Sequence, residues 1–313
     1  MRILIVLTWL LALPTGANEQ RVTNGSGHYT YSSGAGQQQT RLKVYYHQPD
    51  SFAPSSPVLL VLPGAGRNAW DYRDAWKTAS EKYGVLVISP HYAEERYPEF
   101  WNYNIAGMLT NVTINEARTG FASYEITQNP RRWLFKDFDG IFLDARKRFG
   151  IDADRYDMFG HSAGGQIIHR FALFGTSVHA DRLIAANAGW YTLPDFDVKF
   201  PFGLKGSPLS EKTHRIAFSR NLVVFLGELD NADETRGHLA RNDKLDVQGL
   251  HRFSRGQYFY RESKAIAEDI DADFTWQKIH VPGVGHDYRR MSEKAAQYLY
   301  TPKNQEHSRQ EPQ

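Results

Sequence analysis

The sequence predicts an α/β fold: one domain whose mainly parallel sheet is covered by helices on both faces. Three observations lead there. The chain has 313 residues, 41 % of them hydrophobic, enough for one large core. Segments such as PVLLVLPG, GVLVISP and RNLVVFLGE are apolar throughout rather than at alternate positions, as strands buried on both faces are. Longer segments with helical spacing stand between them, and strands that alternate with helices build parallel sheets.

The elements follow in order. TRLKVYYHQ (40–48) reads as a strand and PVLLVLPG (57–64) as a fully buried one. AWDYRDAWKTASEKY (69–83) has helical spacing, with Trp70, Ala75, Trp76 and Ala79 on one face, and GVLVISP (84–90) is a buried strand. After a long interval come a helix in WLFKDFDGIFLDARKRFG, a strand in RYDMFG and a helix in GGQIIHRFALF. RLIAANAG and RNLVVFLGE are strands, QYFYRESKAIAEDI is a helix, FTWQKIHVPG a strand and RRMSEKAAQYLY the last helix. Two segments break the rhythm. Residues 91–132 carry Tyr92, Tyr97, Phe100, Trp101, Tyr103, Phe121 and Tyr124, and residues 190–215 are rich in Phe, Pro and Gly. Loops this long form either covers and pocket walls or decoration at a sheet edge.

The ends differ from the middle. Met1-Arg2 precedes the apolar run ILIVLTWLLALP and then Thr15-Gly16-Ala17, the layout of an export signal over residues 1–17. A buried N-terminal element is the other reading; the run is too short to span a bilayer. The expected mature chain starts near Asn18 and is periplasmic or extracellular. The catalytic domain is expected over 18–300 and a frayed polar tail over 301–313. The chain has no cysteine, so disulfides, thiol nucleophiles and thiolate metal sites are excluded. A net charge of +2, with acids and bases interspersed, gives no nucleic-acid surface.

The chemistry centres on FGHSAGGQ (159–166). Gly160-His161-Ser162-Ala163-Gly164 fits G-x-S-x-G and lies between an expected strand and an expected helix, the setting that motif requires. So sharp a turn strains the backbone at its serine and needs small neighbours two positions away. The helix that follows aims free N–H groups at the serine, so the N–H of Ala163 is placed for an oxyanion. A serine hydroxyl needs a base, and the base needs an orienting acid. His286, in VPGVGHD between the last strand and the last helix, is the expected base. Asp230, ending LVVFLGELD, is the expected acid, with Asp233 and Glu228 as rivals. A second oxyanion donor is expected from Pro63-Gly64-Ala65-Gly66-Arg67: Ala65 first, Gly66 second. An ordinary turn is the plain alternative there; a phosphate cradle would need the missing Lys-Ser/Thr. Gly66, His161 and Trp190 are expected to contact substrate.

With LPGAG, FGHSAGG, FLGELD and VPGVGHD at strand ends in that order, the chain resembles the α/β-hydrolase superfamily from about Arg41 to Tyr300. The resemblance implies a mostly parallel sheet of about eight strands and a Ser162–Asp230–His286 triad. Within the superfamily it looks most like secreted esterases and polyester depolymerases. It departs from lipases in having no HGGG loop, and from many secreted depolymerases in having no disulfides.

The first expectation is therefore a serine hydrolase of carboxylic esters, acting on a small-molecule or polymeric ester, with no cofactor, no metal and no stable membrane anchor. A serine peptidase with the same triad is the second. The third is a non-catalytic binding protein on the same scaffold. A metal enzyme lacks support, since there is no H-E-x-x-H and no carboxylate lies between His161 and His169.

Overall fold

A computed structural model describes residues 22–34 and 40–302. The expected export signal (1–17) and nearly all of the expected tail (301–313) lie outside the described residues. Thr301, which is described, caps the last helix and meets the Tyr83 hydroxyl.

The chain opens with strands β1 (Gly25–Gly34), β2 (Thr40–Gln48) and β3 (Val58–Leu62). Helices α1 (Ala69–Ala75) and α2 (Lys77–Tyr83), strand β4 (Leu86–His91) and helix α3 (Trp101–Asn104) come next. A hairpin of β5 (Leu109–Ile114) and β6 (Phe121–Ile126) precedes α4 (Phe135–Phe149), β7 (Tyr156–His161), α5 (Ala163–Phe174) and β8 (Ala180–Ala186). The last third holds α6 (Glu211–Phe218), β9 (Asn221–Gly227), α7 (Asp243–Asp246), α8 (Arg252–Asp269), β10 (Gln277–Val281) and α9 (Tyr288–Tyr300).

Among the described residues, eight strands form one sheet in the order β1-β2-β4-β3-β7-β8-β9-β10. From β4 to β10 every pairing is parallel; β1 and β2 are antiparallel additions at one edge. Strand order reverses at β3, with β4 on one side and β7 on the other, and at such a switch point a crevice opens beyond the carboxyl ends of the strands. That is where LPGAG and FGHSAGG end up.

The continuous apolar strands have a direct explanation. In β3, Val58, Leu60 and Leu62 face one buried layer with α4 and α5, while Leu59 and Val61 face another with Trp76, Met291 and Ala295. Each is at most 1 % exposed, contributing about 1.5–3 kcal/mol of burial apiece. The rigidity of these strands is what fixes the positions of the loops at their ends.

The single helix expected over 69–83 is broken at Trp76, which leaves the helical path and is fully buried, edge-on to Phe159. Trp70 therefore does not share its face. It is 40 % exposed and packs on Tyr45 and His91. The irregular segment 91–132 contains the β5–β6 hairpin, whose tip is held by Asn242 Nδ2 donating to the Thr119 carbonyl at 2.7 Å. Among the described residues no helix is long and apolar enough to cross a membrane.

Candidate active site

Strand β7 and helix α5 are joined through Ser162 alone, with φ 57° and ψ −113°. That is the left-handed half of backbone space, costly for a non-glycine residue. The three glycines around it are required by close approach. A Cβ on Gly160 would fall on the backbone of Gly164, one on Gly164 on Leu62 and Pro63, and one on Gly165 on the Ala186 carbonyl. The helix thus starts hard against β3 and β8, with partly exposed Ser162 at its head. Ala163 is the first helical residue, and such an N–H has no acceptor within its helix.

The structure brings Ser162, His286 and Asp230 together. Ser162 Oγ lies 3.2 Å from His286 Nε2, and His286 Nδ1 lies 2.7 Å from Asp230 Oδ2. Asp230 is 1 % exposed, its N–H donates to the Gly227 carbonyl, and its second carboxylate oxygen accepts from Arg252 at 3.3 Å. Arg252 is equally buried and also donates to the His238 carbonyl at 2.9 Å. Neither rival acid takes that place: the Asp233 backbone N–H donates to the Asn231 side chain, which caps the turn, and Glu228 lies 3.9 Å from His280.

The histidine loop is held by residues that the sequence patterns did not single out. The Glu234 carboxylate accepts the His286 backbone N–H at 2.6 Å and is gripped by Arg236 at 2.7 Å. A Cβ on Gly285 would meet that carboxylate and the Arg236 guanidinium, so a larger residue there would displace the ion pair. Asn187, just beyond β8, accepts from the Gly227 N–H at 2.8 Å and donates to the Gly285 carbonyl at 3.0 Å, tying the acid strand to the histidine loop. Only its left-handed φ of 44°, unusual outside glycine, marks it.

The Arg236 side chain, with the His286 N–H, holds the Glu234 carboxyl down at about 2, below its ordinary 4.5. A depressed acid stabilises the fold above its unfolded value and loses that contribution as pH falls through its folded value. Glu234→Gln is therefore expected to be less stable than the parent at neutral pH, with the gap closing between pH 4.5 and about 2. Melting temperatures of the two proteins across that range check this. An equal gap at both ends would show that the ionised carboxylate contributes nothing.

The Gly64–Arg67 turn is closed by Arg67 N–H to the Gly64 carbonyl at 2.9 Å, which puts Ala65 and Gly66 at an exposed corner. A Cβ on Gly64 would sit 3.5 Å from Ser162 Cβ, so this corner adjoins the serine.

Two of the residues expected to contact substrate, His161 and Trp190, are buried. His161 is 2 % exposed and lies beneath the site: its ring is 4.5 Å from that of His286, and its Nδ1 is 3.2 Å from the Tyr72 hydroxyl. Side chains alternate along a strand, so the residue before the serine points down as the serine emerges. Burial, and then its cationic neighbours, push the His161 imidazole well below its ordinary range, so it stays neutral. Trp190 is also buried, with the Arg170 guanidinium 4.2 Å from its ring centre and the Phe202 ring at 5.4 Å.

Comparison with known proteins gives an independent view. No family model and no curated protein matches the sequence. Among solved structures, the chain is similar to poly(aspartic acid) hydrolase-1 from Sphingomonas sp. KT-1, with 32 % identity and TM-score 0.78 over 90 % of this chain and 100 % of that one. It is similar to the poly(3-hydroxybutyrate) depolymerase LpqC from Bordetella parapertussis, with 27 % identity and TM-score 0.77 over 92 % of this chain and 95 % of that one. An S-formylglutathione hydrolase from Agrobacterium tumefaciens shares the fold at 13 % identity and TM-score 0.53, over 90 % of this chain and 96 % of that one.

Proposed function

The chain belongs to the α/β-hydrolase superfamily and is a hydrolase, and from that premise we propose that it cleaves carboxylic esters through a serine nucleophile. The observation that carries this reading is the unbroken line Ser162 Oγ, His286, Asp230, with bonds of 3.2 and 2.7 Å, on a strained elbow at the switch point of the sheet.

The steps follow from the positions. Ser162 Oγ attacks the acyl carbon while His286 Nε2 takes its proton. Asp230 holds the imidazole through Nδ1–H and stabilises the imidazolium. The N–H groups of Ala163 and of Ala65 or Gly66 face the oxyanion. His286 then protonates the leaving alcohol, and water, deprotonated by the same nitrogen, releases the acid from the acyl-serine. Substrate enters over the exposed corner at Gly66, not past His161 or Trp190. The short contacts along Ser162, His286 and Asp230 support catalysis over a purely binding role.

A second reading, amide cleavage, has one observation in its favour. The neighbour at 32 % identity is named for poly(aspartic acid), a polymer of amide-linked units, whereas the neighbour at 27 % is named for a polyester. Side-by-side assays with nitrophenyl esters of rising acyl length, emulsified poly(3-hydroxybutyrate) and soluble poly(aspartic acid) separate them. We expect turnover of the esters and of the polyester. Turnover of poly(aspartic acid) alone would replace the ester reading with the amide one, and inertness toward all of them would remove both.

A further inference from the structure

Arg67 combines two costs at one residue. It has a left-handed φ of 52°, it is 5 % exposed, and its guanidinium is buried against neutral carbonyl oxygens. It donates to the carbonyls of Tyr92 (3.4 Å), Tyr97 and Glu99 (2.8 Å), and it lies 5.1 Å from the ring centre of Tyr103. Burial pushes its guanidinium below the ordinary arginine range. Both the desolvation of a charge and the backbone strain destabilise the fold. A surface turn has no use for such an arrangement.

The location suggests the use. Arg67 closes the Gly64–Arg67 turn through its own N–H, and Gly64 adjoins Ser162. The other end of the turn is held from the same segment, because Tyr103, fully buried, donates its hydroxyl to the Pro63 carbonyl at 2.8 Å. The rigid fork of the guanidinium thus fastens the exposed corner, residues 65 and 66, to segment 92–103. That segment packs on the core through Tyr92, Tyr97 and Tyr103.

We propose that Arg67 is a positioning residue of the reaction, holding the 64–67 turn so that the N–H of Ala65 or Gly66 meets the oxyanion formed at Ser162. The proposal rests on the serine-hydrolase reading. Oxyanion donors act only when held at the right height, and a misplacement of about 1 Å costs about 10²-fold in rate. The arrangement also gives segment 91–132 a part in the chemistry: its first dozen residues are the anchorage of the turn.

The test uses Arg67→Ala, Arg67→Lys and Tyr103→Phe, each titrated to completion with a fluorophosphonate so that rates refer to intact sites. For Arg67→Ala, kcat per titrated site is expected to fall about 10- to 100-fold with KM near that of the parent. Affinity for an alkylboronic acid, which forms a tetrahedral adduct on Ser162, should fall in parallel. Guanidinium at a low, non-denaturing concentration should restore part of the rate. Arg67→Lys keeps the charge but loses the fork, so it should remain impaired; Tyr103→Phe should show a smaller loss. If Arg67→Ala fails to fold, the other two variants carry the test. Fewer titratable sites with an unchanged kcat per site would overturn the proposal and leave Arg67 a purely structural residue. A parent enzyme that the fluorophosphonate does not label would instead overturn the serine reading, and this proposal with it.

Discussion

Ser162→Ala is expected to lower kcat by about 10⁶-fold while leaving the fold intact, and His286→Ala to do nearly the same, because nucleophile and base act as a unit. Combining the two should add almost nothing. The alanine keeps a Cβ at the strained position, so its backbone cost is close to that of the serine it replaces. Asp230→Asn should behave differently on two counts. Its kcat loss should be smaller, about 10⁴-fold, since an amide still holds the ring but in the wrong tautomer. Its stability should fall by about 3 kcal/mol, because the Asp230 carboxylate also neutralises Arg252 in a setting where both side chains are at most 4 % exposed. Initial rates on a nitrophenyl ester, paired with urea denaturation of each variant, measure both quantities. The combination to look for is a dead but stable serine variant beside a weak and unstable aspartate variant. Ser162→Ala at more than a few per cent of parental activity would remove the serine from the mechanism.

The sequence patterns carry some of this structure far better than the rest. Strands β3, β4, β7 and β9 are legible because burial on both faces leaves them rich in consecutive apolar residues. The candidate triad is legible because its members sit where such strands stop, next to glycines. Strand β1, GSGHYTYSSG, is missed: an edge strand rich in Gly and Ser buries only alternate residues, and little beyond Tyr29 and Tyr31 signals it. The break at Trp76 is missed because helical spacing is nearly satisfied on both sides of it. Arg67, Asn187, Glu234 and Arg252 are missed for a different reason. Their partners lie far along the chain; Glu234 meets His286, and Asn187 meets Gly227 and Gly285. No local period marks a polar residue whose place is set by a distant loop. The misplacement of His161 has a local cause. Adjacency to the serine suggests contact with substrate, whereas strand alternation sends the side chain to the opposite face.

Gly164→Ala is expected to damage both stability and rate, although it adds a single methyl group. The added carbon would stand 2.8 Å from the carbonyl carbon of Leu62 and 2.9 Å from the Pro63 oxygen, with the Leu62 oxygen nearer still. These are backbone atoms of β3 and of the turn that follows it, so no side chain can rotate away. Either α5 or the end of β3 must move, and both are packed on the two buried layers. A forced shift in such a core costs about 3 kcal/mol, toward the upper end of overpacking effects. The same shift separates Ser162 from the oxyanion turn, so kcat should fall by about 10²-fold in the protein that still folds. Gly150→Ala is the matched control. Gly150 ends α4 with φ 68°, yet nothing lies within 4 Å of its would-be Cβ. It should lose only the cost of a left-handed alanine, about 1–2 kcal/mol, and no activity per folded molecule. Urea midpoints and kcat per titrated site for the two variants decide the matter. Because Gly164 has an ordinary helical backbone, a Gly164→Ala variant as stable and as fast as the parent would mean that the contact between helix and strand does not dictate glycine at position 164.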